Sequence, residues 1–321
     1  MLTSAREQVL LPKTNPKRDK AGMADATGRP DPLRRGVAWG AMLIGSAVPN
    51  IISRVAGHGS PYLLPVTQTI LLVLVAIFAD RSRRLKPLTG FLLTIAIVRL
   101  GWFAIAPMLD DWAPLHHVIA NANWGAQQFL ERLLLALGAL LLLSTFIGRG
   151  FSQEDLFLRV GDLSAPARPE RLLWFRKPIP WTRLGPQLLI VFGVALPVFL
   201  FITLRPDFGR LPRLWQLLPW ALATAGLNAA NEEFQFRCVP LAHLRNALPP
   251  REALWLTAIF FGLGHYFGQP SGPIGVAMAT VAGWIWAKSI VETRGIGWAV
   301  GIHMVQDVVI FCFLALSVQP S

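Results

Sequence analysis

"YLLPVTQTILLVLVAIFADRSRRLK", residues 62–86, decides the fold class. Residues 62–79 carry no charge, and as a helix rising 1.5 Å per residue they reach across most of a hydrocarbon core about 30 Å thick. The run then stops at Arg81, Arg83, Arg84 and Lys86, the basic punctuation expected where a span meets the cytoplasm. Working outward, comparable apolar runs fall at 37–57, 88–107, 126–147, 184–204, 213–230, 252–267, 272–291 and 296–316. The expected fold is an all-α, polytopic transmembrane helical bundle of eight or nine helices. The first run is interrupted by Pro49, Asn50 and Arg54.

Composition agrees. The chain is 53% hydrophobic and 15% charged, with a mean hydropathy of +0.47, which is too apolar for an ordinary soluble domain. The net charge of +12 raises nucleic acid as a partner. The basic residues, however, gather between the apolar runs, so they read as topology and no nucleic-acid partner is expected. The lipid bilayer is the expected environment, in a multi-pass cell-membrane protein. Arginine far exceeds lysine and alanine is abundant, which hints at a bacterial cytoplasmic membrane.

Residues 1–36 are rich in Pro, Lys, Arg, Asp and Thr without apolar periodicity, and are expected to form a disordered basic cytoplasmic tail. No short apolar region precedes Val37, so the first span is expected to remain in the mature chain. The organisation then reads as N-terminal transmembrane helices over 37–147, a cytoplasmic or interfacial linker over 148–183, and a C-terminal membrane domain over 184–316. In the linker, "RLLWFRKPIPW" (171–181) suits the headgroup region, where Trp and Arg are comfortable. Segment 108–125 holds Asp110 and Asp111 but no Lys or Arg, and faces outward by alternation. Arg205, Arg210 and Arg213 break the alternation by falling on the outward side. Cys238 and Cys312 lack metal-type spacing and read as packing residues. His58, His116, His117 and His243 lie in or near predicted loops.

Three short stretches place ionisable groups where they are costly. An ionised side chain in the hydrocarbon region costs about 2.5–3.5 kcal/mol on insertion scales. In "NEEFQFR" (231–237), Glu233 and Arg237 stand four apart on one helix face, a natural ion pair, which leaves Glu232 for something else. "FFGLGH" (260–265) ends an apolar run with Phe261 and His265 four apart. "GIHMVQD" (301–307) places His303 and Asp307 on one face of the last helix. Each has a bland explanation alone. Together they put two carboxylates and two imidazoles on three helices, and convergence on a shared cavity costs less than scattering them toward lipid. Asn228 and Asn231 are placed to line that cavity or to bond across helices.

The ordered set EExxxR (Glu232, Glu233, Arg237), FxxxH (Phe261, His265) and Hxxx followed by Asn or Asp (His303, Asp307) resembles the CPBP intramembrane proteases, the Abi family that includes the type II CAAX prenyl endopeptidases. The resemblance covers residues 184–316. It implies a helical bundle with a water-filled cavity opening toward the cytosolic side, and an endopeptidase acting on a membrane-associated protein or peptide. It also implies that Glu232 activates water with His265, that Glu233 and Arg237 hold the helix and orient Glu232, and that His303 and Asp307 form the last motif.

Two mechanisms fit these residue types. In one, His265, His303 and a carboxylate such as Asp307 hold a divalent metal such as Zn²⁺, with Glu232 as general base. In the other there is no cofactor: Glu232 and His265 deprotonate water, and His303 with Asp307 stabilises the tetrahedral oxyanion. Asp307 stands where many relatives carry Asn, and an ionised carboxylate repels an oxyanion unless it stays protonated or serves to orient His303. Buried Glu, His and Asp also build proton relays, so a proton-coupled transporter is the competing function. A non-catalytic membrane scaffold or immunity factor on the same fold is a third.

Overall fold

The computed structural model describes residues 31–57 and 62–317. Residues 1–30 of the expected tail and the loop residue His58 lie outside them, whereas residues 31–36, expected to be disordered, cap and begin a helix. Where the description begins, the chain is already about to enter a helix: α1 runs Pro32–Gly45, five residues earlier than the apolar run suggests. The reason is local. Asp31 caps it, its carboxylate accepting from the Leu33 amide at 2.9 Å, and Pro32 fills the first helical position. Burial then continues this start into the bundle, because Arg34 is covered and hydrogen-bonds to the Arg84 carbonyl at 2.7 Å.

The interruption expected in the first span is a bend of 49° between α1 and α2 (Val48–Val55). Pro49 accounts for it, since its ring removes an amide from the ladder. Next come α3 (Leu63–Arg81) and α4 (Thr89–Leu100), which continues through a π-turn at Gly101–Ile105 into α5 (Ala106–Asp110). The short α6 (Ala113–Ala120) and long α7 (Trp124–Gly148) follow, the latter capped by Asn123. After the linker come α8 (Trp181–Leu204), α9 (Leu211–Glu233), a second π-turn at Phe234–Cys238, α10 (Val239–Leu244), α11 (Pro250–Gly264), α12 (Gly272–Thr293) and α13 (Gly297–Ser317).

Among the described residues, six helical stretches are long and apolar enough to span a membrane, or seven if the bent pair α1–α2 is one span. The sequence reading of eight or nine is larger because it includes the runs that became α9 and α11. α9 carries the polar NEEFQFR motif at its end, and α11 has only 15 residues. The chain is therefore an all-helical polytopic bundle.

The linker is not only a surface strap. It folds a two-residue antiparallel pairing of β1 (Pro166–Ala167) with β2 (Ile179–Pro180), and it docks on the turn between α12 and α13. There the Asp162 amide donates to the Thr293 carbonyl and the Ile296 amide to the Arg159 carbonyl, both at 2.8 Å. Gly161, at φ +84°, lies so close that an added Cβ would sit 2.6 Å from the Thr293 oxygen. Trp174 is 95% exposed, as a headgroup residue should be. Trp181 is not: it is fully buried, and its indole donates to Glu292 at 2.9 Å. Lys288 pairs with the same carboxylate at 2.5 Å, so Glu292 ties linker to bundle.

One hydrophobic core runs from Ala38 to Ile302 and draws on both halves of the chain. His243 belongs to it. Instead of lying in a loop it is buried on α10, its ring 4.3 Å from that of Phe146 and 4.9 Å from that of Phe151. Among the N-terminal helices, Arg99 is fully buried and donates to Gln68 at 2.8 Å and to Asn50. These pairings fix α2, α3 and α4 against one another, since a buried guanidinium must have acceptors.

The two ends of the bundle are distinct. One gathers the start of α1, the loop after α3, the linker, the start of α11 and the α12–α13 turn, joined by Arg84–Asp31 and Arg35–Glu252 pairs. The other gathers the α8–α9 connection and the end of α13, joined by the Asp207 amide donating to the Leu316 carbonyl at 3.1 Å. Most arginines and lysines outside the core lie at the linker end.

Candidate active site

Glu232 and Glu233 are the last two residues of α9, and the π-turn that follows carries Arg237. A π-turn adds one residue to a turn, and such bulges concentrate at functional sites because they re-aim neighbouring side chains. Here the expected ion pair nonetheless forms. Arg237 Nη1 donates to Glu233 Oε1 at 2.7 Å, with both side chains wholly buried.

The arginine has further company. Its guanidinium lies 3.8 Å from the centroid of the Phe261 ring and 4.6 Å from that of Trp286. The aromatic faces supply negative potential to a cation that water cannot reach. Space for it comes from α12: a Cβ on Gly283 would stand 3.0 Å from Arg237 Nη2 and 3.2 Å from Phe261. Phe261 is thus a wall shared by motif one and motif two, since its ring also lies 4.5 Å from that of His265.

The same Glu233 oxygen accepts from His303 Nδ1 at 2.7 Å. A carboxylate only accepts, so Nδ1 carries the proton in that contact. With its ring stacked on Trp286 at 4.1 Å and 10°, His303 has one orientation. Its free nitrogen, Nε2, then stands 3.6 Å from Glu232 Oε2 and 3.6 Å from Asp307 Oδ1. These last two distances are electrostatic contacts, too long for hydrogen bonds.

Asp307 is anchored from the other side by Asn228, whose amide donates to Oδ2 at 2.9 Å. Asn231 accepts from Gln235 at 2.6 Å, a bond from α9 into the π-turn. The two asparagines flagged in the sequence therefore have different jobs, one in the site and one beneath it. Trp286 and Gly283 are apolar residues in an apolar helix that no motif marks, and only the packing of α12 against motif one reveals them.

Glu232, His265, His303 and Asp307 line one cavity of about 390 Å³, with Asn228, Phe236, Phe260, Phe261 and Arg132 also on its wall. His265 makes no ion pair or hydrogen bond with Glu232; its Nδ1 faces the Phe261 carbonyl at 3.4 Å. The two groups face a common space, as a base and its partner must if a reactant is to sit between them. The cavity continues past Ile310 and Leu314 to Gly264, Phe267 and Gln269, which are exposed and form its rim. That rim lies toward the end away from the linker. An opening on the cytosolic side, which the family resemblance implies, would therefore require the less basic end to face the cytosol.

Among the described residues no three His, Cys, Asp or Glu side chains are grouped to hold a metal ion. His303 keeps Nε2 free beside Glu232 and Asp307, while His265 Nδ1 faces the Phe261 carbonyl.

Residues 214–309 match the family model described as type II CAAX prenyl endopeptidase Rce1-like. The matched stretch holds every motif residue from Glu232 to Asp307. No curated protein and no solved structure matches the chain.

Proposed function

We propose that the chain is an intramembrane endopeptidase that hydrolyses a peptide bond in a membrane-associated protein or peptide, with Glu232 as general base. The supporting observation is the convergence of Glu232, His265, His303 and Asp307 from three helices onto one cavity large enough for a peptide segment. Glu232, with 12% of its side chain exposed, is the carboxylate not consumed by the structural pair. A transporter reading does not account for Glu233 being spent on Arg237 and His303 at once.

In the proposed reaction Glu232 takes a proton from a water held between it and His265. The resulting hydroxide oxygen bonds to the scissile carbonyl carbon, and the C=O electron pair moves onto oxygen. His303, held through Nδ1 by Glu233, presents Nε2 to that oxyanion and, when protonated there, donates to it. Such a preorganised donor in a water-poor site is worth about 3–4 kcal/mol of transition-state stabilisation. Collapse of the intermediate breaks the C–N bond, and the proton on Glu232 passes to the leaving amine. Asp307, 3.6 Å from Nε2 and bonded to Asn228, orients and charges His303 instead of meeting the oxyanion itself.

The excess of basic residues at the linker end supports placing that end, and the N-terminus, in the cytoplasm. The rim at Gly264, Phe267 and Gln269 then faces the opposite side, and substrate enters the cavity from there or laterally. Comparing new peptide termini in membranes of cells carrying the wild-type chain or Glu232→Ala tests the whole reading. Wild-type-specific termini next to membrane segments are expected; identical sets of termini would overturn it.

A further inference from the structure

The linker carries a surface that takes no part in the proposed chemistry. Residues 170–175 close a tight hairpin, the Glu170 amide donating to the Phe175 carbonyl at 3.0 Å and the Phe175 amide to the Glu170 carbonyl at 3.2 Å. Its tip presents two apolar side chains, Leu172 at 42% and Trp174 at 95% exposure. Trp174 holds φ at +53°, a left-handed conformation uncommon for a bulky residue, so the indole is displayed at a cost to the backbone.

Three cations flank these apolar groups. Arg171, Arg176 and Lys177 are exposed, and among the described residues their side chains have no ion-pair or hydrogen-bond partner. The one carboxylate of this stretch, Glu170, is covered: it accepts from the Leu172 amide at 3.3 Å and stands 3.8 Å from Arg251. The tip is therefore both apolar and positive, with no compensating negative charge.

The base of the hairpin is fixed to the bundle. On one side β2 ends directly before α8, a helix long and apolar enough to span the membrane. On the other, the Arg168 amide donates to Glu292 and Lys288 Nζ donates to the Arg168 carbonyl, both at 3.1 Å. The tip thus stands near the level where α8 leaves the hydrocarbon, at the end that the excess of basic residues assigns to the cytoplasm.

We infer that the tip over residues 171–177 is a docking site for anionic phospholipid headgroups. Arg171, Arg176 and Lys177 meet lipid phosphate, and Trp174 with Leu172 enters the headgroup layer, where an indole's apolar body and polar N–H are both satisfied. Each cation near an anionic leaflet adds about fivefold to partitioning, so the three together add about a hundredfold. A zwitterionic lipid supplies the apolar share of this attraction and not the electrostatic one. The inference does not depend on the peptidase reading.

The test uses the full-length chain with Cys312→Ala, since Cys238 is buried, and with Leu172→Cys carrying a nitrobenzoxadiazole fluorophore. The protein is reconstituted in vesicles of phosphatidylcholine alone or with one part in four phosphatidylglycerol, each holding the same share of a phospholipid spin-labelled near its headgroup. Quenching by that lipid is expected to be at least twice as strong in the phosphatidylglycerol vesicles. Arg171→Gln/Arg176→Gln/Lys177→Gln lowers it to the phosphatidylcholine level with the melting temperature unchanged, whereas Arg171→Lys/Arg176→Lys keeps it, because the attraction follows charge. Raising the salt toward 1 M, where the Debye length is about 3 Å, also removes the difference. Equal quenching in the two vesicles, or a difference that survives the triple substitution, overturns the assignment.

Discussion

Glu233 is the residue on which stability and chemistry meet, and Glu233→Gln separates them. The side chain is wholly buried and a single oxygen accepts from both Arg237 and His303 at 2.7 Å. Glutamine keeps the volume and one acceptor but removes the charge, so the Arg237 cation, itself fully buried, loses its counter-ion. Breaking a buried pair by removing one partner costs about 3–5 kcal/mol. The aromatic faces of Phe261 and Trp286 return up to about 2 kcal/mol whether or not Glu233 is charged, so they do not offset the change. At roughly 2 °C per kcal/mol for a chain of this size, the melting temperature in detergent falls by about 6–10 °C. Replacing both partners, as Glu233→Gln/Arg237→Met, removes the uncompensated charge and is expected to recover most of the lost stability. Peptidase activity is not expected to recover, because His303 Nδ1 has then lost its anionic anchor. Tryptophan fluorescence melting reports the first effect and turnover the second. A double variant no more stable than the single one, or one that regains activity along with stability, would refute this division of roles.

Arg84 hydrogen-bonds Asp31 and holds its carboxyl at about 2, below its ordinary 3.8; the stability this pair adds is fully present above pH 4 and is lost as pH falls toward 2. Arg84 is half exposed, so the loss is only about 1 kcal/mol, and Asp31→Asn should flatten the acid limb of a pH–melting curve by that amount. Glu292→Ala leaves Lys288 and the Trp181 indole without their buried acceptor. It should free the linker, read as faster limited proteolysis between 149 and 180; an unchanged rate would mean that the backbone bonds of Arg159 and Asp162 to the α12–α13 turn hold the linker without it. Asp307→Asn keeps an oxygen for Asn228 and adds an amide donor near the oxyanion position. It should retain at least a tenth of the peptidase rate, whereas Asp307→Leu should lose a hundredfold or more.

Much of the fold was legible because membrane spans announce themselves by length and charge: α3, α7, α8, α12 and α13 lie within a few residues of their apolar runs. The exceptions have physical causes. The start of α1 was missed because its first turn is capped by Asp31 and covered by tertiary contacts that composition does not reveal. Trp181 and His243 were misplaced because each is polar enough to suit an interface, yet each is buried among aromatic or carboxylate partners from distant segments. In the candidate site, the Glu233–Arg237 pair followed from spacing alone. The joint hold of Glu233 on Arg237 and His303 did not, because it spans 70 residues. Arg132 was illegible for the same reason, since nothing along α7 marks which face of the helix meets the motifs.

The most direct measurement is turnover by purified, liposome-reconstituted protein of the substrate found by terminal proteomics, comparing wild type with Glu232→Gln in chelator-treated buffer. Wild type is expected to cleave without added metal, and Glu232→Gln to lose a thousandfold or more in rate with its melting temperature unchanged. Cleavage by Glu232→Gln within twofold of wild type would contradict the role assigned to Glu232, and wild-type activity abolished by the chelator and restored by a divalent metal would contradict the mechanism.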